Sequence, residues 1–321
     1  MYQKTLLFLL FLIFVSCDKE YKTPEEISSI DMQVSVKRFD KEFYEVKGKS
    51  FENLANKYPF FINRNVKNID SLWFLKRNDT LEIEVLEETL KVFPDLVKEE
   101  ADLSLLFKHI KYYFPEFNKP NVIALTTQVK YRSSILLQNN ILLIGLDCYL
   151  GDDHKFYEGI SKFLAKNFNR AQIVSDVAGV YANKYMPIGR QRVFRDVMIA
   201  YGKQLYLKDL FMPFESEASR IGYTEDELLW AKNNESQIWS YFLEKELFDS
   251  TDMSLSKRFI NPAPFSKFYL ELDGESPGML GRYLGWQIVR SYMEKNDVSL
   301  SDLANISGEE LFSKSKYKPA K

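Results

Sequence analysis

The sequence is poor in the residues from which most catalytic and cross-linked architectures are built. It has two cysteines, Cys17 and Cys148, and two histidines, His109 and His154, in 321 residues. With Cys17 assigned to a modification (below), Cys148 has no partner in the chain, which excludes a disulfide framework even in an oxidising compartment. Cys148 lies in the apolar run Ile141 to Leu150, where a thiol is expected to be buried and inert. No H-E-x-x-H occurs, so the zinc peptidases that use it are excluded as such. Glycine and proline are sparse, at 13 and 11, which argues against long flexible linkers. There is no basic excess: the net charge is -2, and no nucleic-acid partner is expected of a chain without a basic face. No apolar run approaches the ~20 residues of a membrane-spanning helix.

The longest apolar run, Leu6 to Val15, follows Lys4 and has the length of a signal-peptide core rather than of an anchor. Phe14-Val15-Ser16-Cys17 closes it. A small residue before a cysteine, directly after a short apolar run, is the lipoprotein processing pattern, although Phe14 stands where leucine is commoner. The thiol takes a diacylglycerol as a thioether, and cleavage frees the Cys17 amine for another acyl chain. Several chains hold a protein stably in a bilayer, where one holds it only marginally. The chain therefore divides into a signal peptide over 1–16, a lipidated tether over 17–31 and a single body over 32–321. The polar tether is expected to let the body stand off the bilayer. Cell-envelope localisation follows, with the membrane reached through lipid at Cys17.

Aromatic residues are plentiful, with 25 Phe and 19 Tyr, and supply much core area per residue. Alternation over Met32 to Phe39 predicts a strand. Helices are expected over Asp40 to Tyr58, Leu81 to Phe93 and Ala101 to Phe114. Asn121 to Val129 reads as a strand, and Ser134 to Leu146 as a hairpin turning at Gln138-Asn139-Asn140. Beyond Phe156 the pattern is almost wholly helical: Phe156 to Phe168, Gln191 to Leu210, Thr224 to Phe248 with a Thr224/Glu227 capping box, and Pro277 to Lys295. The fold class is α+β, predominantly helical with a small early β-sheet.

The candidate chemical motifs fail one by one. Gly274-Glu275-Ser276-Pro277-Gly278 matches G-x-S-x-G, but Pro277 has no N–H for an oxyanion hole and no histidine follows His154. Ser276 as an N-cap with Pro277 in the first turn fits better. His109 lies in an amphipathic helix and is expected to be partly exposed. His154 with Asp147, Asp152 and Asp153 matches no metal loop and reads as a solvated turn. Gly202-Lys203 lacks the upstream glycine of a phosphate cradle. Glu225, Asp226, Glu227, Glu235, Glu244 and Glu246 read as a charged face opposite Leu228, Leu229, Ile238, Trp239 and Phe242. Gly278, Gly281 and Gly285, with Trp286, form a stripe for close packing or a candidate partner surface. No catalytic residue, cofactor or metal ligand is expected. Two alternatives stand beside a non-enzymatic binding protein: a hydrolase of unrecognised type built on Glu235 or Glu275, which needs a deep pocket with a perturbed carboxylate, and a small-ligand-binding envelope lipoprotein with an aromatic-lined groove.

A family resemblance sharpens this. Tyr201-Gly-Lys-Gln-Leu-Tyr-Leu-Lys-Asp209, Ile221-Gly-Tyr-Thr224, Asn234-Glu-Ser-Gln-Ile-Trp239, Ala263-Pro-Phe-Ser-Lys-Phe268, Glu275-Ser-Pro-Gly278, Gly285-Trp-Gln-Ile-Val-Arg-Ser-Tyr-Met293 and Ser315-Lys-Tyr-Lys-Pro319 carry it. With the leader, they make the chain resemble the gliding-motility lipoprotein family GldB of Bacteroidetes over nearly its whole length. The resemblance implies an envelope protein required for gliding, acting with other components of the gliding and type IX secretion machinery, with no reaction attached. A weaker resemblance is to predicted zinc peptidases, whose H-E-x-x-H helix would fall near Arg195 to Ala200, here Arg-Asp-Val-Met-Ile-Ala. It implies a degenerate zincin-like body without its metal, since Asp196 alone cannot supply the donors zinc needs.

Overall fold

The structure is a computed structural model that describes residues 21–46, 50–62, 69–271 and 273–319. The elements run α1 (Glu25–Ser28), β1 (Val36–Arg38), α2 (Phe39–Glu45), α3 (Ser50–Lys57), α4 (Ile69–Arg77), α5 (Thr80–Val92), α6 (Val97–Tyr113), β2 (Asn121–Leu125), β3 (Ile135–Gln138) and β4 (Ile141–Gly145). The helical part follows: α7 (Lys162–Ala165), α8 (Gln172–Tyr185), α9 (Phe194–Phe211), α10 (Glu217–Ile221), α11 (Glu225–Asn233), α12 (Glu235–Glu244), α13 (Ser254–Phe259), α14 (Leu280–Lys295), α15 (Leu300–Asn305) and α16 (Gly308–Ser315). This is the expected α+β class, mostly helical with an early sheet.

The sheet has the order β1-β2-β4-β3, with β1, β2 and β4 parallel and β3 antiparallel at the edge. The β3–β4 turn is the asparagine turn read from the sequence: Asn139 and Asn140 both take positive φ, 47° and 61°, a conformation asparagine tolerates better than most residues. Both faces of the sheet are covered. Val122, Ala124, Leu142 and Ile144 enter the main core. Ile123 points the other way, into a smaller cluster with Phe39, Phe43, Leu54, Tyr58 and Ile62. A strand covered on both sides loses the polar face that alternation predicts, hence the apolar run at β2.

Only Val36–Arg38 of the strand expected over Met32 to Phe39 pairs in the sheet. Upstream, side chains of α6 take the backbone donors: Ser104 Oγ accepts from the Val34 N–H at 2.9 Å and Glu100 Oε1 from the Val36 N–H at 2.8 Å. The helix expected over Asp40 to Tyr58 is two helices, α2 and α3. The helix expected over Phe156 to Phe168 is a 3₁₀ turn at Lys155–Tyr157 and the short α7, separated by Gly159 at φ 85°. Thr224 does form its capping box, but the long helix is broken at Asn234, whose side-chain amide returns to the Trp230 carbonyl at 2.8 Å. The helix α8 and the C-terminal pair α15 and α16 were not anticipated by periodicity.

The helices α9 and α14 form the centre of the body, and the glycines of α14 are why they lie so close. A Cβ on Gly285 would overlap the Met198 carbonyl oxygen, and one on Gly202 would overlap the Gly285 carbonyl. Gly281 presses on the Phe259 carbonyl and the Ile260 side chain, Gly278 on the backbone of Ala263. Trp286 is fully buried and donates Nε1–H to Asp209 at 2.8 Å. The stripe Gly278, Gly281, Gly285 and Trp286 is therefore used inside the chain, which corrects its reading as a partner surface. The start of α14 also differs from expectation. Met279, at φ 60°, precedes the helix, and Ser276, three residues earlier, is buried, accepting from the Ser266 N–H and donating to the Asp273 carbonyl. The close approach of Gly278 to Ala263 displaces the cap.

Residues 21–31, read as part of the tether, are laid on the body. Ile27 is buried, Tyr112 donates to Glu26 at 2.9 Å and Lys108 to the Ser28 carbonyl at 2.7 Å. Apolar burial of a single turn, α1, against α6 turns half of the expected spacer into part of the fold.

Candidate functional site

A cavity of about 610 Å³ opens where α8, α9 and the start of α14 meet the loops around Asn167 and Tyr223. Each helix contributes at its own period. From α8 come Gln172, Asp176 and Gly179, spaced so that they share one face. Tyr201, Gln204, Leu205 and Lys208 come from α9, and Arg282 from α14. Tyr131, Phe163, Leu164, Tyr223 and Met279 give the walls an apolar and aromatic character.

The polar groups in this cavity sit where an apolar core would otherwise be. Asp176 accepts from the Tyr149 hydroxyl at 2.8 Å and from the Gln172 amide at 3.1 Å, and burial raises its pKa. Lys208 is buried and gives one of its three hydrogens to Ser175 Oγ at 2.7 Å, which in turn donates to the Ser219 carbonyl at 2.6 Å. Burial pulls the Lys208 pKa down to about 8, against the partial compensation of Asp176. The Arg282 guanidinium lies over the Tyr201 ring, 4.2 Å from its centroid, and its Nε–H donates to the Ile260 carbonyl at 2.7 Å. Neither of its terminal nitrogens meets a protein acceptor among the described residues. Burial lowers its pKa as well, and the residue is partly buried.

Beside the cavity, Asp209 ties three elements together. It accepts from Arg290 through both oxygens at 2.7 Å, from Arg220 at 2.9 Å and from Trp286. Fork-to-carboxylate geometry of this kind fixes orientation as well as charge.

The residues singled out in the sequence fall elsewhere. Cys17 lies outside the described residues. Cys148 is buried, with its thiol pushed up to about 12 by burial, as an inert cysteine should be. His109 is buried rather than partly exposed: Nδ1–H donates to the Leu210 carbonyl at 3.0 Å, and burial lowers its pKa to about 4. Its helix faces α9 along that side, which periodicity could not reveal. His154 accepts from the Phe156 N–H and lies 3.5 Å from Glu88, away from Asp147. Asp147 is fully buried and clamps the strand-exit loop through the Thr127 and Val129 N–H groups at 2.9 and 2.6 Å. Glu235 accepts from the hydroxyls of Tyr283 at 2.6 Å and Tyr317 at 2.5 Å, so it holds the C-terminal segment, while Glu275 is exposed. Of the apolar face expected opposite the carboxylates, Leu228, Ile238 and Phe242 are buried and Trp239 is partly buried, whereas Leu229 is exposed.

The segment Arg195 to Ala200 does not face the cavity. Arg195 binds Asp249 at 2.5 Å, and Met198 and Ile199 are buried against α14. On α8, Gln172 and Asp176 stand at i, i+4 and both line the cavity, as do Gln204 and Lys208 on α9. Among the described residues no three His, Cys, Asp or Glu groups stand together as a metal would require. Sequence reasoning missed Asp176, Lys208 and Arg282. The available signal was a charge inside an apolar stretch: Asp176 stands between Val174 and Val177, and Lys208 beside Leu205 and Leu207.

No helix among the described residues is long and apolar enough to cross a membrane. Comparison with known proteins found no match among curated proteins and none among solved structures. The model of one family, described as gliding motility protein GldB, matches residues 20–319. That span takes in the sheet, the α9–α14 centre and every cavity residue, and on it the chain belongs to the GldB family of gliding motility proteins.

Proposed function

We propose that this chain is a non-enzymatic lipoprotein of the cell envelope, anchored through acylated Cys17, that serves gliding by binding other components of the gliding and type IX secretion machinery. The observation that carries the proposal is the family match across residues 20–319, which spans nearly all of the body. The leader supports the anchor: a ten-residue apolar run ends at Ser16-Cys17. Two features favour binding over hydrolysis. Glu235, the candidate acid–base group, is engaged by two tyrosine hydroxyls. The Ser276 hydroxyl is buried and bonded to backbone at Ser266 and Asp273.

The anchor and the role are tested separately. A deletion strain is scored for colony spreading, and spreading at the parental rate refutes the role in gliding. A Cys17→Ala strain is fractionated, and the expected result is loss of the protein from membranes together with loss of spreading. Retention in the membrane fraction at the parental level refutes the lipid anchor while leaving the role in gliding standing.

A further inference from the structure

The cavity is larger than packing requires and its charge is not balanced from within. Five cationic residues line it: Arg132, which is exposed and lies over the Tyr131 ring, and four that are at least partly buried, Lys166, Lys208, Arg220 and Arg282. Lys166 pairs with Glu227, Arg220 with Asp209 at 2.9 Å, and Lys208 faces Asp176. Arg282 is the member of the four with no carboxylate among the described residues. A guanidinium taken out of water without a counter-charge is costly, and stacking on one aromatic ring recovers only part of that cost. Its Nε is committed to the Ile260 carbonyl and one face to Tyr201. The terminal nitrogens remain, and their fork geometry matches a planar, bidentate acceptor. Lys208 has spare donors on the same wall, since only Ser175 takes one.

We propose that this cavity is a binding site for a monocarboxylate with an apolar body, its carboxylate held by the Arg282 fork and its body against Tyr201, Tyr223 and Leu164. Arg132 is exposed to solvent, so the one unbalanced positive charge taken out of water is that of Arg282, and it calls for one negative charge. Asp176 also lines the cavity, and its carboxylate disfavours the second charge of a dianion such as phosphate. The volume, about 610 Å³, lies within the range of small-molecule sites and admits a short peptide end or an organic acid. The apolar walls supply the burial that a bare inorganic ion would not use. The site stands independently of the anchor and of the role in gliding.

The test uses the full-length protein in detergent and isothermal titration with four probes: acetyl-dialanine, its C-terminal amide, phenylacetate and inorganic phosphate. Acetyl-dialanine and phenylacetate separate a peptide terminus from a free organic acid, and saturable binding of either supports the site and names its source. The amide is expected not to bind. Arg282→Gln is expected to weaken binding of the acid by at least about tenfold, and Arg282→Lys to weaken it similarly because the charge remains but the fork is lost. Gly179→Leu guards against a folding artefact. A Cβ at Gly179 meets nothing within 4 Å, so the side chain can enter the cavity without disturbing its own helix, and binding should be lost from a normally folded protein. Absence of saturable binding by either acid, equal binding of the amide, tighter binding of phosphate, or full binding by a folded Gly179→Leu protein each overturns the proposal.

Discussion

Lys208 shows how far a single buried charge departs from the behaviour of its type. An ordinary lysine holds its proton to about pH 10.4, whereas burial brings this one to about 8. Between those two values the unfolded chain keeps a proton that the folded chain has released, so this residue makes stability rise with pH through that window. Below it, the folded state bears the cost of a buried ammonium. Raising the pH from about 7.5 to about 9.5 should therefore stabilise the protein, through this residue, by on the order of 1 kcal/mol. Lys208→Met should remove that part of the pH dependence while leaving the rest of the curve in place. Urea midpoints of parent and variant at the two pH values check this, and parallel curves would contradict it. The residue itself was unreadable as special in the sequence, because a lysine one turn from Gln204 in a helix looks like a solvated face until the partner helix is known. Cys148 is the opposite case. Apart from Asp147 the run around it is apolar, and Leu146, Tyr149 and Leu150 enter the main core with it, so its burial was legible from the local run.

At the scale of elements, the small-residue stripe of α14 was visible and its meaning was not. Spacing of three and four residues between Gly278, Gly281 and Gly285 says that something comes close. It cannot say whether that is another chain or Gly202 of the same one. The hairpin at Asn139-Asn140 and the capping box at Thr224 were legible because each is closed by residues a few positions apart. The displaced start of α14 was not, because contact of Gly278 with the distant backbone of Ala263 decides it. The α9–α14 contact makes a sharp contrast between two glycines. In Gly285→Ala the new methyl meets the Met198 backbone, which cannot yield, and the cost should reach about 3 kcal/mol, the upper end for overpacking. In Gly179→Ala the methyl enters open space on α8, and helix propensity alone should stabilise the fold by up to about 1 kcal/mol. Denaturation midpoints of the two variants should move in opposite directions, and a shift of Gly285→Ala within error of the parent would show that the two helices can part cheaply.

At the scale of the whole molecule, the proposed anchor at Cys17 would let the early part of the chain decide how the body meets the bilayer. The expected tether over 17–31 would have let the body roam. Instead the described chain is docked from Tyr21 onward. The Tyr21 ring lies 5.8 Å from that of His109 and 6.5 Å from that of Phe214, and its hydroxyl is 3.3 Å from His109 Nε2. With Nδ1–H donated to Leu210, the neutral imidazole leaves Nε2 free to accept that hydroxyl, and the lowered pKa of His109 keeps it so in mildly acidic surroundings. Four chain steps separate Cys17 from Tyr21, a reach of at most about 14 Å. With Cys17 acylated as proposed, the face around Tyr21, α1 and the adjoining part of α6 would stay within that reach of the lipid headgroups. A partner fixed in the same membrane then finds its surface without a search. Inserting twenty Gly/Ser residues between Lys19 and Glu20 should add roughly 25 Å of root-mean-square reach without touching the anchor or the fold. Spreading should fall while protein level and membrane fractionation stay at parental values, because binding of a tethered partner weakens once the effective concentration set by the linker drops. Parental spreading by that strain would show that the height of the body above the bilayer does not matter.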